Sequence, residues 1–277
     1  MRKLFTKILV PVALKRNTAW SVDKAIQLAN KFNCDVILLH VQLPPGIHLH
    51  GGFFSFPRRR NTAADTTRKL FELEQHCRAR LKDGLLAASL VVAGNWQQVL
   101  KDVIIGEHAD LVVIPKGRRK AASVLLKKIN VSRLSQETGC PVMTITRQFN
   151  INQLQNIVVP VQTLLPVRKL AMATYVSIET NGNIFLMAGN GHRNSVAQAY
   201  LFKAYQLLNE LGRINVQCAL RDNYDDASTA LAYANDVKAD LIVVNTGHES
   251  WFKGWWNKIR RKQLWKESEI PVLTVAL

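Results

Sequence analysis

Short apolar runs and amphipathic segments alternate along the chain. Segment 21–32 places its apolar side chains on one helical face, from Val22 to Phe32. The apolar runs are too short for core helices and are bounded by polar residues, proline or glycine, as is typical of buried strands. The pattern predicts strands at 8–12, 34–41, 89–94, 111–114 and 142–146, and helices at 21–32, 64–87, 96–109 and 131–138. Strands that alternate with helices of this length favour βαβ units and a parallel sheet.

The same order of apolar runs and amphipathic segments occurs twice in the chain. The phrase ADLVVIPKG at 109–117 returns as ADLIVVNTG at 239–247, and without a gap CPVMTI at 140–145 aligns with IPVLTV at 270–275. KILVPV at 7–12 returns as NIVVPV at 156–161, so the first copy has about nineteen extra residues in its interior. Such a repeat indicates two copies of one domain.

The repeat sets the expected domain organisation. We predict two tandem doubly wound α/β domains, each with a five-stranded parallel sheet, over residues 1–149 and 150–277 (the first half and the second half below). We expect the halves to pair through their last strands, because an exposed apolar edge strand invites pairing. Ligands of such sheets bind beyond the carboxyl ends of the strands, where the strand order reverses.

Composition narrows the class of protein. The hydrophobic fraction of 48% is enough for two cores, and no apolar stretch reaches the ~18 residues that a membrane-spanning helix needs. The apolar run 8–14 contains Pro11 and recurs in mid-chain, so we interpret it as a strand and not as a signal peptide. The four cysteines show no CxxC spacing, which predicts buried free thiols and a cytoplasmic location.

The ordered motifs KILVPV, CDVILLHV, ADLVVIPKG and TGCPVMTI, with their second-half counterparts, resemble the universal stress proteins. The resemblance implies a Rossmann-like fold similar to that of adenine nucleotide hydrolases, and a dimer-like pairing of the two domains. It also implies where a nucleotide would bind. Nucleotide-binding members have an Asp directly after strand one and the pattern G-x2-G-x9-G-S/T after strand four, whose small residues let backbone amides approach phosphate.

This sequence departs from that pattern at every position. Ala13 and Gln162 stand where Asp is expected. The glycine-rich pattern is replaced in the first half by Pro115, Arg118, Lys128 and Ile129, and in the second half by Asn245, His248, Lys258 and Ile259. A one-residue shift would bring in Gly117 or Gly247 without restoring it. We therefore expect no cofactor and weak or lost ATP binding; the alternative is a nucleotide or other anion held by the cationic substitutes.

Catalytic motifs are missing from the sequence. It contains no Walker motif, no GxGxxG after strand one, no HExxH and no paired CxxC. His48 and His50 lack an acidic or thiol partner nearby, so we expect neither a metal site nor an enzyme. The resemblance then favours a stress-response protein of regulatory or adaptor type.

The charge adds a second function class. The net charge is +17, and residues 1–149 hold 24 Lys and Arg against 10 Asp and Glu. Such an excess favours polyanions or anionic lipid, or it solvates the surface. The alternative to the regulatory function is thus a peripheral membrane-surface or polyanion-binding module. A protein partner and a homodimer also stay open.

Two basic segments carry this alternative. Segment 251–266 holds four of the six tryptophans and six Lys or Arg without an acid, and its counterpart 116–133 holds seven Lys or Arg, again without an acid. Loop 51–60 also combines aromatics with three arginines. A membrane interface and single-stranded nucleic acid both suit such residues, although the tryptophans would equally suit internal packing. The candidate residues are Arg58, Arg59, Arg60, Trp255, Trp256, Arg260, Arg261 and Lys262.

Overall fold

A computed structural model describes residues 3–14, 19–42, 63–116, 125, 128–162, 165–190, 195–212, 214–221, 227–246 and 269–277. Within these ranges, ten strands are found: Lys7–Pro11 (β1), Asp35–Gln42 (β2), Ala87–Ala93 (β3), Leu111–Pro115 (β4), Val142–Ile145 (β5), Asn156–Pro160 (β6), Asn183–Gly189 (β7), Asn215–Arg221 (β8), Leu241–Asn245 (β9) and Val272–Val275 (β10). The α-helices of the same ranges are Ala19–Phe32 (α1), Ala63–Arg78 (α2), Trp96–Gly106 (α3), Val131–Thr138 (α4), Val167–Thr180 (α5), Ser195–Glu210 (α6) and Ala227–Asp236 (α7).

The strands form one sheet in the order β3-β2-β1-β4-β5-β10-β9-β6-β7-β8. Neighbours are parallel within each half, and β5 and β10 pair antiparallel, with Met143 opposite Leu273. The predicted tandem α/β fold and the pairing through the last strands are confirmed. Because the central pair is antiparallel, the carboxyl edges of the two half-sheets face opposite ways.

The extra residues of the first half lie mostly in one connection. Residues 43–62 separate β2 from α2, whereas residues 190–194 separate β7 from α6. The helices α2 and α6 that follow these connections have 16 residues each. The division between residues 149 and 150 stays a prediction; Phe149 and Ile151 on either side of it are both buried.

The predicted helix over 64–87 is wrong at its carboxyl end. Helix α2 stops at Arg78 and β3 begins at Ala87. The turn between them includes Gly84 at a φ of +84°, which glycine adopts without strain but a right-handed helix excludes. The Asp35 carboxylate accepts a hydrogen bond from the Leu86 amide at 2.8 Å, so this amide is satisfied outside a helix.

The core has two sides. On one side of the sheet, a single apolar cluster runs through both halves and joins Phe5 and Phe32 of the first half to Tyr175 of the second. The ring centroids of Phe5 and Tyr175 lie 5.3 Å apart at 86°. On the other side each half has its own cluster, built around Leu9 in the first half and Val158 in the second. The sites described below lie at the ends of strands that separate these two sides.

The prediction of four buried thiols is correct for three of them. Cys34, Cys77 and Cys140 are buried, and burial raises the pKa of each thiol to about 12. Cys218 is exposed because it lies on β8, the last strand of the sheet, which has a neighbour on one side alone.

No helix in the described ranges is both long enough and apolar enough to span a lipid bilayer.

Candidate functional site

The fold creates two equivalent positions for a ligand. In the first half the strand order reverses between β1 and β4, and in the second half between β6 and β9. The crevice beyond the carboxyl ends of such a strand pair is where parallel α/β sheets bind ligands. The residues that follow β1 and β4, or β6 and β9, therefore form the candidate site of each half.

In the first half, the chain after β1 packs into the protein's own core. The Val12 amide continues the ladder by donating to the Leu39 carbonyl at 2.8 Å. Ala13 is partly buried and packs against the apolar cluster around Leu9. Leu14 then turns with a φ of 47°, a left-handed conformation that is uncommon outside glycine. No carboxylate is present at the Ala13 position to hold the hydroxyls of a ribose.

The segment after β4 contributes side chains to the same apolar cluster. Leu125 is 2% exposed and Ile129 is 3% exposed, and both belong to the cluster against which Ala13 packs. The Ile129 amide donates to the Leu125 carbonyl at 2.9 Å, one helical turn earlier. Pro115 is buried at the end of β4, and Gly117 and Arg118 lie outside the described residues. The family's Ser or Thr position is thus occupied by a core side chain.

The Lys128 side chain is exposed beside His40, which is on β2. Because a carbonyl can only accept, the 2.7 Å contact between His40 Nδ1 and the Val12 oxygen places the ring proton on Nδ1. Burial lowers the pKa of His40, the Val12 bond opposes that shift, and the positive charge of Lys128 adds to the lowering. The rings of His40 and the buried Trp96 meet at 85°, with centroids 6.2 Å apart. The imidazole is therefore held against the backbone.

Lys116 follows β4 directly and is 1% exposed. Its amide donates to the Ile145 carbonyl at 2.7 Å, and its Nζ donates to the Ile270 carbonyl of the second half. Burial lowers the pKa of Lys116 to about 7. The Lys116 amine at this strand end thus binds the other half of the chain.

In the second half, the residues at the equivalent position are polar and uncharged. Gln162 follows β6, is 5% exposed, and has no hydrogen-bond partner in the described structure for its Nε2 or its Oε1. Asn245 and Thr246 end β9 and are also buried. The Thr246 amide donates to the Val275 carbonyl at 2.8 Å, repeating the backbone bond of Lys116 in the first half.

The buried Lys169, on α5, lies near the end of β6. Its Nζ donates to the Pro160 carbonyl at 2.5 Å. Gly247, His248 and Lys258, the remaining predicted residues of this site, lie outside the described residues, so the structure brings Gln162 and Asn245 alone to the ends of adjacent strands.

The other predicted residues lie outside the described ranges. They are the basic and aromatic candidates Arg58, Arg59, Arg60, Trp255, Trp256, Arg260, Arg261 and Lys262, together with His48 and His50. In the described part of the chain, no group of three or more His, Cys, Asp or Glu is placed to hold a metal ion.

Sequence reasoning missed three residues at these strand ends: His40, Lys116 and Lys169. His40 interrupts the apolar run at 36–41, and Lys116 follows an apolar run without an intervening polar residue. A polar residue next to a buried strand signals that its polar atoms must find partners, and here the carbonyls of Val12 and Ile270 supply them. Lys169 gives no such signal, because it follows Arg168 in the first turn of α5, and lysine and arginine on a helix are mostly exposed to solvent.

The sequence and the fold of this chain are similar to those of known proteins. The model of the Universal stress protein family matches residues 4–146. A search of curated proteins finds no match. Among solved structures, a universal stress protein from Archaeoglobus fulgidus superposes with a TM-score of 0.70 at 15% identity, covering 99% of this chain and 98% of that one.

Two further structures share the whole two-domain arrangement. A putative universal stress protein from Pseudomonas aeruginosa has a TM-score of 0.64 at 14% identity, with 98% of this chain and 93% of that chain covered. The cytoplasmic domain of a prokaryotic cation chloride cotransporter has a TM-score of 0.56 at 12% identity, with 98% and 95% covered. At these identities the likeness shows the fold alone.

Proposed function

This chain belongs to the universal stress protein family, and we propose that it is a regulatory or adaptor protein without catalytic activity, in which ATP binding is weak or lost. We further propose that it acts in the cytoplasm.

The observation that carries the proposal is the closed corner of the first half. Ala13 offers no carboxylate after β1, and the buried side chains of Leu125 and Ile129 belong to the cluster on which Ala13 packs. A phosphate chain needs small residues and free backbone amides at this position. Opening the corner would instead expose two large apolar side chains, which costs about 1.5–3 kcal/mol for each.

The absence of catalysis is supported by what the polar groups of the strand ends already bind. The Nζ of Lys116 is bonded to the Ile270 carbonyl of the second half. A general acid or base must reach a substrate proton directly or through one water. The Lys116 amine is engaged with a backbone oxygen instead.

Titration calorimetry of purified protein with Mg-ATP tests this function. We expect no binding tighter than roughly 0.1 mM, which corresponds to about 5 kcal/mol. A clear isotherm with a low-micromolar dissociation constant would contradict the proposal. The variant Lys128→Ala separates the remaining alternative, an anion held by charge: if weak phosphate or ATP binding is seen and disappears in this variant, the exposed ammonium holds the anion.

The second candidate function is binding to an anionic membrane surface or another polyanion. It is supported by the net charge of +17, of which +14 belongs to residues 1–149. A basic surface draws anionic partners over a range set by ionic strength. Vesicle and oligonucleotide binding by segment 251–266 tests it.

A further inference from the structure

The outermost strand of the second half, β8, has a free edge. In the described part of the chain its one neighbour is β7, and the Asn190 amide, directly after β7, donates to the Arg221 carbonyl at 2.8 Å. The backbone groups of Arg221 therefore point toward β7. Because these groups alternate in direction along a strand, those of Val216, Cys218 and Leu220 point outward, where a further strand can pair with them.

The charged residue of β8 does not protect this edge. Edge strands are commonly shielded by charged side chains or by proline, and β8 contains no proline and one charged residue, Arg221. The Arg221 guanidinium lies 4.8 Å from the centre of the Tyr233 ring and 3.4 Å from the Asp236 carboxylate, both of which belong to α7. The charge is thus held on the α7 side of the sheet, and Cys218 and Leu220 are exposed at the edge.

The opposite end of the sheet, strand β3, is protected by charge. The Val36 amide donates to the Leu86 carbonyl at 2.9 Å, so the backbone groups of the next residue, Ala87, point outward. The Arg78 side chain covers this position, because its Nε donates to the Ala87 carbonyl at 3.2 Å. Pairing through β3 would also bring together two halves that carry +14 each, whereas pairing through β8 keeps these halves at opposite ends of the assembly.

Helix α6, which packs beside β8, exposes large apolar side chains. Val216 of β8 packs against the apolar cluster that α6 covers. On the outer surface of α6, Val196 is 53% exposed, Phe202 51% and Leu207 42%. In the equivalent helix α2, Phe71 is the one large apolar side chain that is exposed among the described residues. Apolar surface of this kind is typical of contacts between proteins.

We propose that β8 pairs antiparallel with β8 of a second copy, so that two chains form a dimer whose sheet runs through both. The twofold axis lies at Cys218, because this symmetric register pairs the outward groups of Val216, Cys218 and Leu220 together. Both copies of α6 then lie on the same side of the joined sheet, where their apolar side chains are buried by the contact. The chain joins its own two halves in the same manner, through the antiparallel strands β5 and β10. The contact does not involve the candidate ligand sites, so its test is independent of the proposed function.

Sedimentation equilibrium of the full chain tests the dimer. We expect the wild type to be dimeric at micromolar concentration. Leu220→Lys places a charge at the edge of each copy and should raise the dimer dissociation constant at least tenfold. Val91→Lys is the matched control, because Val91 is also 38% exposed and lies on the free edge strand β3, and it should leave dimerisation unchanged. Melting temperatures of both variants close to that of the wild type show that they fold.

The exposed thiol tests the register in the unaltered protein. Side chains directly opposite each other in an antiparallel pair have Cβ atoms about 4.5–5.5 Å apart. A short bismaleimide should therefore cross-link Cys218 to Cys218 of the partner subunit. The other three cysteines are buried, so Cys218→Ser should abolish the cross-link and leave the dimer intact.

The outcomes either support or overturn the inference. A dimer that Leu220→Lys weakens and that cross-links through Cys218 supports it. A chain that stays monomeric through the micromolar range overturns it and leaves the edge to an extended segment of a different protein. A dimer that Val91→Lys weakens and Leu220→Lys does not would place the contact at β3 instead. A dimer that gives no cross-link at Cys218 overturns the twofold register.

Discussion

The Nζ atom of Lys116 in the first half donates a hydrogen bond to the Ile270 carbonyl oxygen in the second half. Lys116 is 1% exposed, and desolvation lowers its pKa from 10.5 to about 7. The contact lies beside the antiparallel pair β5–β10, which joins the halves. A titratable group is therefore buried at the junction of the two domains.

This burial makes stability depend on pH. Between pH 7 and about 10, Lys116 is mostly neutral in the folded protein and charged in the unfolded chain, so the unfolded state binds more protons. The free energy of unfolding should then rise with pH by up to about 1.4 kcal/mol per unit relative to Lys116→Met. Urea unfolding at pH 7, 8 and 9 measures the difference between the two proteins. Parallel stability curves would contradict the prediction, and Lys203→Met, a change at an exposed lysine of α6, should leave the slope unchanged.

The rings of Phe5 and Tyr175 give a second test of how the halves are joined. They meet edge to face at 5.3 Å, and both are buried. An aromatic pair of this geometry contributes about 0.5–1.5 kcal/mol beyond its buried area. A double-mutant cycle with Phe5→Leu and Tyr175→Leu should therefore give a coupling energy of about 1 kcal/mol in the free energy of unfolding. Additive effects, with no coupling, would show that the two halves do not meet through these rings.

The sequence predicts those parts of the fold that local patterns of apolar residues determine. The apolar runs ending at Pro11 and Pro160 predict strands because unbroken apolar stretches suit a sheet covered on both sides. The end of α2 at Arg78 cannot be predicted from such a pattern. It depends on Gly84 and on the Asp35 carboxylate. This carboxylate accepts a hydrogen bond from the Leu86 amide, 51 residues further along the sequence. Local propensity carries no information about such a distant partner.

The sequence predicts where the candidate sites lie, but not how the side chains at these sites pack or which hydrogen bonds they make. The repeat locates Ala13 and Gln162 at equivalent strand ends. Whether either side chain packs or stays unsatisfied depends on what the rest of the chain brings beside it. In the first half, Ala13 packs on an apolar cluster that includes the buried Ile129, 116 positions further along the sequence. The sequence shows that Ala13 and Gln162 replace the expected Asp, and the tertiary packing determines the effect of each replacement.

Ile129 and Lys128 are adjacent, but truncating them should change the stability by very different amounts. Ile129 is 3% exposed in the first-half cluster, whereas Lys128 is exposed. Ile129→Ala should lower the free energy of unfolding by about 2–5 kcal/mol, because it leaves a cavity. Lys128→Ala should change it by at most about 0.5 kcal/mol. Chemical denaturation of the two variants measures both values, and a neutral Ile129→Ala would mean that this corner is not closed by packing.

The last prediction concerns the basic segment 251–266, for which the sequence alone supplies the argument. A surface Lys or Arg contributes about 1 kcal/mol near anionic lipid, so several must act together and binding must fall steeply with salt. Changing Arg260, Arg261 and Lys262 together to Gln should weaken binding to phosphatidylserine vesicles by about 3 kcal/mol, or more than a hundredfold. Co-sedimentation at 50 and 200 mM salt measures both effects.

The tryptophans of the same segment separate the two kinds of anionic partner. Trp255 and Trp256 lie next to the cations in sequence. Insertion at the headgroup level should shift their emission to the blue when vesicles are added, whereas stacking on single-stranded nucleic acid should quench it. If neither vesicles nor oligonucleotides change the emission at low salt, the indoles pack inside the protein and the charges solvate its surface. That result would exclude the membrane and polyanion function and leave the regulatory one.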